Sequence, residues 1–229
     1  MEGRAVHKSI EQNLTHKLET GRLLPNAEVV QAAADSFEAN WEGEDPVLTA
    51  EELEQGREKT KGRAKDESVN LARVHHQLLA PEIKPVRLER RFRLAVRNFP
   101  FDFVGVIDIQ EPDKIRDTKT SAKAPEAGAA KSSLQLAIYG MAILTLEGKL
   151  PRKVQLDYLV KGRIPRVQIS DARLDNEDLR RVLRRAERAA EVIEKEAFMP
   201  APTDSWWCSE KWCGYWAECK YGARGRKIL

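Results

Sequence analysis

Apolar residues recur at helical spacing from the start of the chain. Val6, Ile10, Leu14 and Leu18 fall on one side of a helix over about 2–20, and Gly21 stops it. Residues 26–39 predict a second helix, with Asn26 as N-cap behind Pro25. Residues 41–47 read as a loop. Thr49 then opens a long charged helix through the capping box TAEE, and Pro81 ends it near 80. Beyond this point the period changes from helical to two. Residues 86–96 (VRLERRFRLAV) alternate apolar and polar, as a half-buried strand does, and NFPFD turns the chain. Strands are predicted over 103–109, 114–120, 154–162 and 166–170. An apolar helix lies at 132–148 and a basic one at about 175–197, the latter read as a solvated face with i, i+4 pairs. The pattern is α/β, with a largely antiparallel central meander.

Composition narrows the class. Hydrophobic residues make up 41% of the 229 and charged residues 33%, enough for one real core. A net charge of +3 excludes a polycation, so nucleic-acid binding would need a local cluster of bases. No apolar run spans a membrane and no secretory h-region opens the chain, which points to a cytoplasmic protein. All three cysteines fall between 208 and 219, a pattern of metal binding rather than of a disulfide framework.

The candidate chemistry lies on the second and third strands. Side chains two apart share a face, so Ile115, Asp117 and Lys119 go together, and Asp108 goes with Val104 and Val106. A hairpin of these strands brings two carboxylates and one ammonium to one place. Two ionised Asp repel unless a cation intervenes. Lys119 carries one charge, and a hard divalent ion, Mg²⁺ or Mn²⁺, answers both acids. On the first helix His7, Glu11, Leu14 and Leu18 share the inward side, whereas His16 faces water. Gln135 and Tyr139, at i and i+4, are neighbours on an otherwise apolar helix and need partners.

Asp108, eight residues, then Asp117-Thr118-Lys119 resembles the bipartite core of the PD-(D/E)XK nuclease superfamily. Gly105-Val-Ile-Asp108, Asp117-Thr-Lys119-Thr120, Gln135-Leu-Ala-Ile-Tyr139 and Gly3-Arg-Ala-Val-His7-Lys-Ser-Ile-Glu11 resemble, in order, the G-x-x-D, D-x-K-T, Q-x-x-x-Y and G-x-x-x-H-x-x-x-E elements of its RecB-like branch. The resemblance implies a restriction-endonuclease-like core, a central mixed sheet flanked by helices, over 1–200 with a helical insertion at about 26–80. It implies a metal-dependent DNA nuclease, of exonuclease type, in recombination, repair or phage replication in a bacterial or phage-infected cell, with a recombination or helicase partner. Metal ligands would be His7, Asp108, Asp117 and the Thr118 carbonyl. Asp108, Asp117, Lys119, Gln135 and Tyr139 would form the catalytic set, with Glu11 outside it.

The likeness extends to Cys208-x4-Cys213-x5-Cys219. Members of the iron–sulfur branch carry three such Cys and a fourth ahead of the His helix, together holding a 4Fe–4S cluster. Here no Cys precedes 208. Trp206, Trp207, Trp212 and Trp216 predict a tail over 201–229 that packs on the core rather than stacking on bases. Expected DNA contacts are Lys123, Lys131, Lys161 and Arg163, with Lys114, Arg116 and Arg166 near them. His75 and His76 read as solvated helix residues without a role. The competing readings are a catalytically silent DNA-binding scaffold subunit and an unrelated protein with a chance motif.

Overall fold

Five strands form one sheet among the described residues, in the order β1-β2-β3-β4-β5. They are β1 (Arg87–Ala95), β2 (Asp102–Gln110), β3 (Lys114–Ser121), β4 (Lys153–Val160) and β5 (Arg166–Ala172). β3 and β4 run parallel, and the other neighbours are antiparallel. A parallel pair needs a crossover. Here it is supplied by α5 (Ala129–Ser132) and α6 (Leu134–Glu147), so the sheet is mixed rather than a plain meander. The computed structural model describes residues 1–222 except 45, 47, 49, 98, 100, 203, 204, 206 and 211. The expectations for Thr49 as a cap, for Asn98 and Pro100 in the turn, and for Trp206 lie outside those residues.

Two cores cover the sheet. On one face α6 and α7 (Asn176–Glu194) pack Leu136, Ala137, Ile143, Leu179 and Val182 against Phe92, Ile115, Val154 and Leu156. On the other, Val6, Ile10 and Leu14 of α1 (Glu2–Thr20) meet Leu71 of α4 (Arg57–Leu78), with Ile109 and Leu159 beneath. α2 (Asn26–Gly43) lies outside α1 and α4, packing Val29 and Ala33 on Ala72. No helix of the described residues is long and apolar enough to cross a membrane.

Several local expectations are corrected. α2 runs through Trp41, which is buried and stacks on Phe37 one turn earlier at 5.7 Å. That contact outweighs the loop signal. Asn26 is the first helical residue and Pro25 the cap. The long charged helix is two, α3 (Ala50–Gln55) and α4, because Gly56 between them sits at φ 89, outside helical space. Leu18, in the last turn of α1, leaves the inward stripe and is exposed.

Candidate active site

The acids sit where two strands part. β2 and β3 pair only at Ile109↔Arg116 and Gln110↔Ile115. The same register, continued, would set Asp108 across from Asp117 just as the strands separate. β1 and β2 pair from Arg87↔Gln110 to Ala95↔Asp102 but skip Glu89 and Asp108, and Glu89 has φ 45. Alternation breaks there. Ile107 packs with the α6–α7 core and Ile109 with the α1–α4 core, although they are two residues apart. Asp108 therefore does not simply share the face of Val104 and Val106, as period-two counting predicts. Non-glycine residues rarely adopt positive φ, and such strain gathers at functional sites.

The motif glycines are places of close approach. A Cβ at Gly105 would lie 2.6 Å from Cζ of Phe92, and one at Gly3 would lie 3.3 Å from Oγ1 of Thr120. The second contact seats the start of α1 against β3 and carries His7 to the site. His7 Nε2 is 2.6 Å from the Thr118 carbonyl oxygen, and its Nδ1 is 3.4 Å from Asp108 Oδ2. On the opposite face of the sheet from α1, α6 contributes a relay. Lys119 Nζ donates to Gln135 Oε1 at 2.7 Å, and Gln135 Nε2 donates to the Tyr139 hydroxyl at 2.8 Å. Lys119 Nζ also pairs with Asp117 Oδ2 at 2.7 Å.

Both acids are under electrostatic load. Burial, and then the charge of Asp117, push the Asp108 carboxyl up to about 6, with His7 opposing. Burial raises Asp117 as well, against the pull of Lys119 and His7. Burial and the Asp108 charge hold the Tyr139 hydroxyl well above its ordinary value, so Tyr139 stays a neutral donor and acceptor. Asp108 Oδ2 and Thr118 Oγ1 are buried without a hydrogen bond, and Asp117 Oδ2 meets only the Lys119 ammonium. Native interiors rarely leave carboxylate oxygens this way, and an unseen ion is one of the standard reasons. As placed, no three His, Cys, Asp or Glu side chains of the described residues are gathered tightly enough to hold a metal. His7 spends one nitrogen on Thr118, and the donors at hand are two carboxylates and a carbonyl.

The sequence profile of the PD-(D/E)XK nuclease superfamily matches residues 1–220. The chain belongs to that superfamily. Its mixed sheet flanked by helices is the restriction-endonuclease-like fold. Among solved structures, a candidate exonuclease from Eubacterium rectale is 15% identical, with 80% of this chain and 73% of that one covered at TM-score 0.46. SSO0001 is 14% identical, with 93% and 84% covered at TM-score 0.37. No curated protein sequence matches.

Within this superfamily member the other expected residues scatter. Lys123 and Arg163 are exposed. Lys131 is tied to Asp178 at 2.5 Å and Asp175 at 3.1 Å, and Lys161 to Glu2 and to Glu67 at 3.2 Å, so both charges are already answered. Arg116 is corrected from a DNA contact to a buried structural ion. It donates to Glu111 at 2.5 Å and to Asp157 at 3.1 Å, and its side chain is turned away from Asp117. His75 is also corrected. It is 1% exposed, its Nε2 lacks a partner, and burial beside Arg116 lowers its pKa to about 3. Glu11 pairs with Lys8 on the helix surface. Cys208, Cys213 and Cys219 are free, partly exposed thiols in a run of tight turns and do not converge as a ligand group. Trp207 and Trp212 are each 53% exposed, so the tail buries less of its aromatic surface than expected. Sequence reasoning missed Glu89, whose carboxyl is raised by burial and by Glu11 close to His7. A glutamate within a strand pattern gives no signal that would have found it.

Proposed function

We propose that the protein is a divalent-metal-dependent deoxyribonuclease of the RecB-like branch, working from DNA ends in recombination, repair or phage replication. The observation that carries this reading is a pair of mutually loaded buried carboxylates, Asp108 and Asp117, with the single ammonium of Lys119 paired to one of them. The ordered G-x-x-x-H, G-x-x-D, D-x-K-T and Q-x-x-x-Y elements support the branch.

Asp108, Asp117 and the Thr118 carbonyl, with His7 adjacent, fit a hard cation, Mg²⁺ or Mn²⁺. Such an ion, when bound, polarises a phosphodiester and lowers the pKa of coordinated water. The remaining work belongs to the chain. Lys119, aimed by Asp117 and Gln135, donates to a phosphoryl oxygen or orients the attacking water. Gln135 and Tyr139 hold the ammonium in one rotamer from a rigid helix. Lys123 and Arg163 are free to meet backbone phosphates, which position a strand without reading its sequence. Cys208, Cys213 and Cys219, not gathered together among the described residues, do not fit a 4Fe–4S cluster as placed, and no step runs through one.

The test is incubation with linear single-stranded, linear double-stranded and covalently closed circular DNA, in Mn²⁺ and in EDTA. The reading expects shortening of linear DNA in Mn²⁺ alone. DNA binding with no cleavage of any substrate would leave the scaffold subunit in its place.

A further inference from the structure

A groove leads away from Lys119 across the sheet. Lys119 on β3 pairs in register with Tyr158 on β4, and Tyr158 with Gln168 on β5. Cross-strand partners project to the same face, so the three form one row on the α6 side. Two adjoining cavities of about 360 and 440 Å³ lie over this row. Lys119 and Tyr158 line the first and Gln168 the second, and Glu126 and Ala127 line both. Each is within the ~300–1,000 Å³ range of small-ligand sites. The segment 124–129 (APEAGA) above them is mostly small and apolar.

Two features indicate what the groove takes. Gln168 Oε1 is buried without a hydrogen-bond partner, an acceptor awaiting a donor. Charge is also distributed unevenly. Lys119 stands at the inner end, while the ionisable groups farther out are Glu126 and Asp171, the latter paired with Lys153 at 2.6 Å. Phosphate is favoured beside Lys119, and the outer part has no Lys or Arg in its lining to hold one. An uncharged, flat group with N–H donors suits the outer part, with the Tyr158 ring as its platform. Aromatic rings bind unpaired bases in this way regardless of sequence.

The geometry points to a subsite for one unpaired nucleotide next to the cut bond, its base on Tyr158 and its edge donating to Gln168. This rests on the nuclease reading and adds to it that the enzyme acts where a base has left its pair. Gln135 and Tyr139 do not line the groove, which shares Lys119 with the relay.

The experiment places an abasic tetrahydrofuran residue at successive positions from each end of a linear single strand and measures cleavage in Mn²⁺. The unaltered protein should show one position at which loss of the base slows cleavage by about tenfold. Tyr158→Leu should cut the intact strand as slowly as the abasic one, Tyr158→Phe should keep the difference, and Gln168→Leu should reduce it. Equal rates at every position for the unaltered protein, or a difference that persists in Tyr158→Leu, would overturn the subsite. Should Tyr158→Leu fail to fold, the unaltered protein and Gln168→Leu decide. If no strand is cut, fluorescence anisotropy of the same oligonucleotides in EDTA separates the two ideas. Weaker binding of one abasic strand keeps the groove and removes the nuclease reading, and equal binding of all removes the groove.

Discussion

Asp108 sits between a buried neighbour of like charge and an imidazole, and its carboxyl is lifted from 3.8 to about 6. A raised folded-state pKa means the unfolded chain gives up this proton first. Stability should therefore fall as pH rises from about 4 to 6, and the whole penalty is present above pH 6. Asp108→Asn removes it. In EDTA at pH 7.5 the variant should withstand more urea than the unaltered protein, while at pH 3.5 the two midpoints should converge. Equal midpoints at pH 7.5 would show that burial and the Asp117 charge do not load Asp108. His75 works in the opposite direction. With its pKa held near 3 against 6.5 unfolded, it withdraws stability as pH falls below 6.5. Nothing in RVHHQ shows which of two adjacent histidines is buried. The packing of α4 over Arg116 decides that, and it is a tertiary fact.

The elements divide the labour at the site. β2 and β3 bring the acids to a parting, α1 delivers His7 from one face of the sheet, and α6 steadies Lys119 from the other. Gln135→Leu keeps the volume on α6 but removes the acceptor of Lys119. Cleavage should drop about 100-fold, the scale of an ångström's misplacement, with the thermal midpoint little changed. A rate within twofold of the unaltered protein would take Gln135 out of the relay. The i, i+4 spacing of Gln135 and Tyr139 made this pairing legible in the sequence, as did the shared face of Asp117 and Lys119. The break of alternation at Asp108 was not legible. It depends on a positive φ at Glu89, a glutamate that carries no such preference. The split of one long charged helix at Gly56 was hidden because flanking residues suited to helix masked a single glycine.

At the scale of the molecule, a buried ion network ties the site to its scaffold. Arg116, one residue before Asp117, bridges Glu111 at the β2–β3 turn and Asp157 on β4, and Gln155 donates to Asp157 at 2.6 Å. Removing the cation strands two buried acids, so Arg116→Met should cost about 3–5 kcal/mol in urea unfolding. A loss below 1 kcal/mol would mean that water reaches the network. The sequence showed this arginine only as one more base near the motif, because a buried and a solvated Arg look alike until partners are placed. The period of the apolar residues disclosed the five strands and the helices around them, and the family resemblance disclosed the mixed sheet, while the parallel pairing of β3 with β4 was not legible in the pattern. The most direct trial of the account compares Asp117→Ala with the unaltered protein on linear DNA in Mn²⁺, with anisotropy recording binding. The account predicts that cleavage disappears while binding stays within severalfold. Undiminished cleavage by the variant would contradict it.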